Sequence, residues 1–267
     1  MTCTELLLAS ALLHAVWNLM AKTERIAPVF FLQVALVIAV LGAGPAAWGV
    51  VHGALPGQAA TWMVAAAMLK ALYLLALTLA YREGDFSVVY PVAKGLTVLL
   101  LAFVDVWRGR IPYGPGIALV VAGCMAVSGR APQRWLTLTA LAGAAYLACD
   151  KVAAEHLALG PGATATYGVC QFAVLAVCYR LLVRQPVPPF SDRTWKTAGG
   201  AALLVFTSHW LAVWASQLTP YASYVAAVRH VSIVIGVALS AVVLREAAPV
   251  RRLAASAAIL MGVISLR

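Results

Sequence analysis

Lys70, Lys94 and Arg229 are cations placed inside apolar stretches of the chain. Lys94 stands about eight residues into a run that starts near Phe86, and Arg229 about eight into one that starts near Tyr221. At 1.5 Å per residue each lies roughly 12 Å from its helix start, deep in a hydrocarbon core about 30 Å thick. Lys70 falls midway along its own run. Ionised side chains buried in a bilayer cost several kcal/mol, so they mark substrate or ion pathways more often than packing. A guanidinium can fork two hydrogen bonds to a carboxylate or phosphate, and an ammonium acts as a point charge. One acid, Asp150, offsets the three cations. The chemistry this set suits is the capture of a negative or zwitterionic solute.

Helical spacing gathers further polar residues around them. His14, Trp17 and Asn18 share a face at i, i+3, i+4. Lys70 with Tyr73 forms a second such face, and Tyr90, Lys94 and Thr97 a third, beside Pro91. Thr139, Gly143, Tyr146 and Asp150 follow one another along a sixth span; Thr207, Trp210, Trp214 and Gln217 line an eighth, with Ser208 and His209 beside them. Arg229 and Ser232, with His230 adjacent, mark a ninth. The candidate substrate-binding residues are Trp17, Asn18, Lys70, Tyr73, Tyr90, Lys94, Tyr146, Asp150, Trp210, Trp214 and Arg229. The candidates for carrying a proton or coupling ion are His14, Asp150 and His209. Pro91 lacks an amide proton and disturbs the carbonyl of Ser87, which predicts a broken helix there. Each residue also has a plainer reading. The aromatics can be packing or interfacial residues, and the two histidines interhelical hydrogen bonders. Lys22 and Lys151, at helix ends, can snorkel, and Lys94 and Arg229 can be halves of structural ion pairs.

The elements that must position these residues follow from composition. The 267 residues are 63% hydrophobic and 10% charged, with a mean hydropathy of +0.92, outside the range of soluble domains. Bilayer-length runs read as 4–21, 28–51, 59–81, 86–107, 112–129, 135–153, 162–183, 194–216, 221–243 and 249–266. Ten helices of about 20 residues leave only short loops, so residues 1–267 form one membrane domain. The net charge of +10 does not point to nucleic acid. Of 19 Lys and Arg, 12 follow odd-numbered spans, four follow even-numbered ones and three are intramembrane. A basic excess in one set of short loops is the positive-inside signal; it places the odd loops in the cytoplasm and both termini outside. Cys3, Cys124, Cys149, Cys170 and Cys178 are scattered, with no metal or disulfide spacing. The amino terminus lacks a basic leader region and reads as a retained first helix. GxSxG, HExxH and P-loop patterns are absent, which argues against an intramembrane enzyme and a built-in ATP motor. No cofactor is expected.

Laying residues 1–129 over 134–267 matches Trp17 to Tyr146, Trp62 to Trp195 and Lys94 to Arg229. The small-residue ladder Ala118, Ala122, Ala126 falls on Ala254, Ala258, Gly262. Five spans per repeat is an odd number, so the second repeat is inverted, which places a shared site near the midplane. The two ladders predict close helix packing, within the chain or across a homodimer through helices 5 and 10.

LLHAVWNLMAK near the start, YREGDFSVVYPVAKG at the fourth span and LREAAPVRRLAASAAILMGVISL at the end resemble the EamA branch of the drug/metabolite transporter superfamily. The resemblance covers essentially the whole chain, and the stretch from Asp85 to Lys94 is its most specific part. It implies ten helices, secondary transport, often export of amino acids or other amphipathic metabolites, a cavity formed by spans 1, 3, 4, 6, 8 and 9, and both termini inside. The family's Gly-Glu step after spans 4 and 9 is kept in part as Arg245-Glu246 and replaced by Gly109-Arg110 in the first repeat. The expectation is a multi-pass transporter in a bacterial inner membrane, exporting a small anionic or zwitterionic amphipathic metabolite by alternating access. A lipid or lipid-linked solute flippase of the same fold is the alternative.

Overall fold

The computed structural model describes residues 1–23, 27–83, 86–126, 133–189, 193–236 and 250–265. Among them the chain is all-helical, with ten helices: α1 (Cys3–Thr23), α2 (Ala27–Val51), α3 (Gly57–Glu83), α4 (Phe86–Trp107), α5 (Gly114–Ala126), α6 (Gln133–His156), α7 (Pro161–Leu182), α8 (Thr194–Gln217), α9 (Ala222–Arg229) and α10 (Val250–Ser265). Five segments, Pro28–Val51, Gly57–Ala80, Arg134–His156, Pro161–Leu182 and Thr194–Gln217, are long and apolar enough to cross a membrane. Gly114–Ala126, Ala222–Gly236 and Ala254–Ser265 are shorter apolar helices. Helix boundaries follow local chemistry. Gly160, at φ 126°, turns the chain into α7, and Pro161 occupies its first turn, where a missing amide proton costs nothing.

Burial departs from that of a soluble domain at both the surface and the core. Val40, Leu41, Trp48, Phe103, Val177, Leu203 and Met261 face outward, whereas Gln33, Lys94, Asp105, Asp150, Lys151 and Gln171 are buried. A wide apolar exterior around an interior that also holds polar and charged side chains is compatible with a membrane protein.

The helices pair across the two halves of the chain. α1 packs on α8 as α6 packs on α3; α2 lies on α7, α4 on α9 and α5 on α10. Glycine lets some pairs approach closely. A side chain at Gly42 of α2 would collide with Val169 of α7, and one at Gly95 of α4 with Cys124 of α5. α1 and α8 are clasped by Ser10 and Ser208, each hydroxyl donating to the other's carbonyl at 2.6 and 2.8 Å.

Both ends of the bundle are tied by polar straps. At the end where α6 and α8 finish, Arg108 and Arg110 donate to Glu155 at 2.6 and 2.8 Å. There Lys151 donates to the carbonyls of Ser216 and Thr219 at the end of α8, at 2.6 and 2.7 Å, and pairs with Glu155. Lys151 therefore does not snorkel as its helix-end position predicts: it is buried, and α8's terminal carbonyls take its protons. At the other end Glu83 accepts from Arg134 at 2.6 Å and from Trp135 at 2.8 Å. Those two bonds, Arg134 first, hold the Glu83 carboxyl below its usual range.

Two local expectations are corrected. α4 runs unbroken through Pro91, because the proline sits in the second turn and forfeits a single intrahelical bond near the helix start. The interruption falls in the ninth span instead: 222–236 is helical except at His230, whose amide donates to both Ala226 and Ala227 while Ile233 donates to His230 in an i→i−3 bond. The α5–α10 seam also uses a neighbouring face of α5. Gly123 lies against Ala255 and Ile259, and Gly262 of α10 against Gly116 and Val120, whereas Ala118, Ala122 and Ala126 point outward. Ala122 stands one residue from Gly123 and Ala118 two from Gly116, whereas Gly262, a member of the α10 ladder, does sit in the seam.

Candidate functional site

Seven helices and the end of α9 enclose a cavity of about 70 Å³. α1 contributes His14 and Trp17, α2 Phe31 and Val34, α3 Lys70, Tyr73, Leu74 and Leu77, and α4 Lys94. Tyr146 comes from α6, Phe172 and Leu175 from α7, Val205, Ser208 and His209 from α8, and Arg229 from α9. The sequence places Lys70, Lys94 and Arg229 on three different helices, and the fold brings all three to one cavity. Gly143 makes this possible on α6: a side chain there would press on Thr97 and Tyr73.

The cations are held in different ways. Lys70 donates to Gln171 Oε1 at 3.0 Å, lies 3.3 Å from His209 Nδ1, and sits over the rings of Phe172 at 4.6 Å and Tyr146 at 5.5 Å. Aromatic faces attract an ammonium without neutralising it. Lys94, 8% exposed, sits over Tyr73 at 5.5 Å. Arg229 Nη2 lies 3.4 Å from His14 Nδ1, which also accepts from Trp17 Nε1 at 3.2 Å. Both neighbours of that nitrogen are donors, so His14 carries its proton on Nε2.

The acid is set back from the cavity. Asp150 Oδ1 accepts from Tyr167 at 2.6 Å and from Gln171 Nε2, and Gln171 turns its amide oxygen to Lys70. Gln171 thus stands between the carboxylate and the ammonium, donating to one and accepting from the other. Asp150, Lys151, His209 and Arg229 line a narrow pocket of about 10 Å³ beside the main cavity.

Sequence-selected residues therefore divide. Trp17, Lys70, Tyr73, Lys94, Tyr146 and Arg229, with His14 and His209, line the cavity. Asp150 reaches it through Gln171. Asn18 donates to the carbonyl of His14 in its own helix at 2.6 Å. Trp210 and Trp214 stack on each other at 6.1 Å along α8, and Trp210 donates to the carbonyl of Pro161, so they brace α8 against the start of α7. The side chain of Tyr90 lies outside the described residues, as do Asp85 and the Arg245-Glu246 step.

Three contributors were missed by the spacing argument. Gln171 and Tyr167 lie i, i+4 on α7, a polar pair whose purpose depends on α6 facing it. Asp105 on α4 is fully buried and accepts from the amides of Ala222 and Ser223 at 2.9 and 2.8 Å and from the Ser223 hydroxyl at 2.6 Å. It caps the N-terminus of α9, where a carboxylate meets unpaired amides and the positive end of the helix dipole. Because α4 carries Lys94 and α9 carries Arg229, this cap fixes the spacing of two of the cations.

No protein-family model matches the chain, and no curated protein sequence does. A solved crystal structure, described only as that of a protein, superposes on 99% of this chain and 96% of its own with a TM-score of 0.71 at 17% identity. At that identity the likeness is one of fold.

Proposed function

We propose that the protein is a multi-pass membrane transporter, in a bacterial inner membrane, for a small anionic or zwitterionic solute with an apolar body, an amino acid being the leading example. The observation that carries this reading is the convergence of Lys70, Lys94 and Arg229 on one cavity, with Asp150 held back by Gln171 and Tyr167. Three cations among the described lining residues favour a ligand that brings negative charge, and the rings of Trp17, Tyr73, Tyr146 and Phe172 suit an apolar remainder. The outward apolar belt supports residence in a bilayer.

The mechanism in this reading is secondary transport by alternating access. Adding five to each helix number exchanges the α1–α8 contact with α6–α3, α2–α8 with α7–α3, and α1–α9 with α6–α4, and leaves α2–α7, α4–α9 and α5–α10 in place. Such pairing is what two inverted five-helix repeats produce, and rocking of one repeat against the other opens a central site to each side in turn. With the sequence motifs, it supports membership of the EamA branch of the drug/metabolite transporter superfamily, with export as the direction.

A thermal-stabilisation screen of metabolites against the purified protein tests the ligand class. Carboxylates with an apolar body are expected to raise the melting temperature, and hits should be transported by reconstituted vesicles without ATP. Stabilisation by organic cations alone would overturn the reading.

A further inference from the structure

His209 and Arg229 line both the central cavity and the narrow pocket beside it. Each carries a buried nitrogen with no hydrogen-bond partner, His209 Nε2 and Arg229 Nε. A guanidinium Nε always bears a proton. The imidazole's state follows from its neighbour. The Lys70 ammonium, 3.3 Å from His209 Nδ1, has only protons to offer, so Nδ1 accepts and the ring's proton sits on Nε2. Both orphan atoms are therefore N–H donors, and buried donors in folded proteins are nearly always satisfied. Around the cavity, Gln171 bridges Lys70 and Asp150, His14 Nδ1 accepts from Trp17, and Ser208 is paired with Ser10; of the other buried orphans, His230 Nδ1 and Ser232 Oγ lie on residues outside the cavity lining.

We propose that the N–H groups of His209 Nε2 and Arg229 Nε form a seat for one carboxylate of the transported solute. Two donors on residues that line the same cavity can each take one oxygen of a planar carboxylate, and the charged Arg229–carboxylate bond is the stronger kind. The solute's body then lies against Trp17, Tyr73, Tyr146 and Phe172, which makes the substrate class a small carboxylic acid with an aromatic or apolar side group. Lys70 keeps the histidine in the donating tautomer, so it acts on the seat through His209. The inference rests on the transport reading and adds to it the anchoring atoms and the headgroup.

The test uses the full-length protein in lipid nanodiscs, titrated with phenylacetate, its neutral isostere phenylacetamide, and phenylphosphonate, and read by thermal stabilisation. Phenylacetate is expected to bind at least about tenfold more tightly than phenylacetamide and more tightly than phenylphosphonate. His209→Gln, whose amide nitrogen reaches the Nε2 position, should stay within about threefold of the unmodified protein. His209→Asn, which mimics only Nδ1, and Arg229→Lys, which lacks the Nε donor, should each lose about tenfold or more, with ligand-free melting retained. Equal behaviour of the Gln and Asn variants, with phenylacetate still preferred over the amide, would overturn the seat and leave the anion-transport reading standing. No preference for phenylacetate over phenylacetamide would overturn both. Tighter phenylphosphonate binding would replace the carboxylate with a phosphoryl group, and binding of none of the three probes would contradict the seat.

Discussion

Gln171 keeps Asp150 and Lys70 apart while satisfying both, its amide nitrogen donating to one and its oxygen accepting from the other without adding charge. Gln171→Leu preserves volume but removes one of Asp150's two donors and one of Lys70's acceptors, so it should destabilise the protein by about 1–3 kcal/mol in denaturant melts. Asp105→Asn loses the charge that caps α9 and one of its acceptor oxygens, and should cost about 1–2 kcal/mol. It should also weaken solute binding, since α9 carries Arg229. A variant that melts and binds like the unmodified protein would remove Asp105 from the positioning of the site. The cations were legible in the sequence because a charge inside an apolar run has few explanations. Asp105 was not: beside Arg108 and Arg110 an acid reads as interfacial, and its partners lie 117 and 118 residues downstream. Gln171 was illegible for the same reason, since an uncharged amide in a helix announces nothing until α3 and α6 flank it.

The helices themselves were the most legible feature. All ten sequence-derived spans coincide with helices to within a few residues wherever the chain is described, because runs of about 20 apolar residues leave little choice. Faces and interruptions were harder. A small-residue ladder gives a spacing but not which of two adjacent stripes meets the partner, and here the glycines Gly116, Gly123 and Gly262 take the seam while Ala122 faces outward. Gly123→Leu should therefore destabilise the protein by about 1–3 kcal/mol, because its first carbon already meets Ala255 and Ile259. Ala122→Leu should leave the melting temperature unchanged. If a homodimer forms through helices 5 and 10, the outward stripe is the face it would use, and Ala122→Leu would then shift oligomer size in light scattering. Equal destabilisation by both substitutions would contradict the seam. The hitch at His230 has no proline or glycine to announce it, unlike Pro91, which announces a break that α4 does not make.

At the scale of the whole molecule, ten crossings, as the transport reading proposes, would put both termini on one side of the membrane, and the charge bias predicts that this side is the exterior. A reporter active only in the cytoplasm should be silent at either end, and activity at both ends would reverse the orientation in favour of the one the family resemblance implies. The central claim is that the matched cations of the two halves hold the solute's negative group. It is tested most directly by measuring vesicle transport and thermal melting together for Lys94→Gln and Arg229→Gln. The account predicts that transport of the stabilising carboxylate falls to background in both variants. It also predicts that Arg229→Gln melts at an unchanged or raised temperature, since the substitution removes the cost of burying a charge. Transport at the unmodified rate in both variants would contradict the claim. A loss of about 3–5 kcal/mol in both, the signature of a broken buried ion pair, would show instead that the two cations hold the fold together.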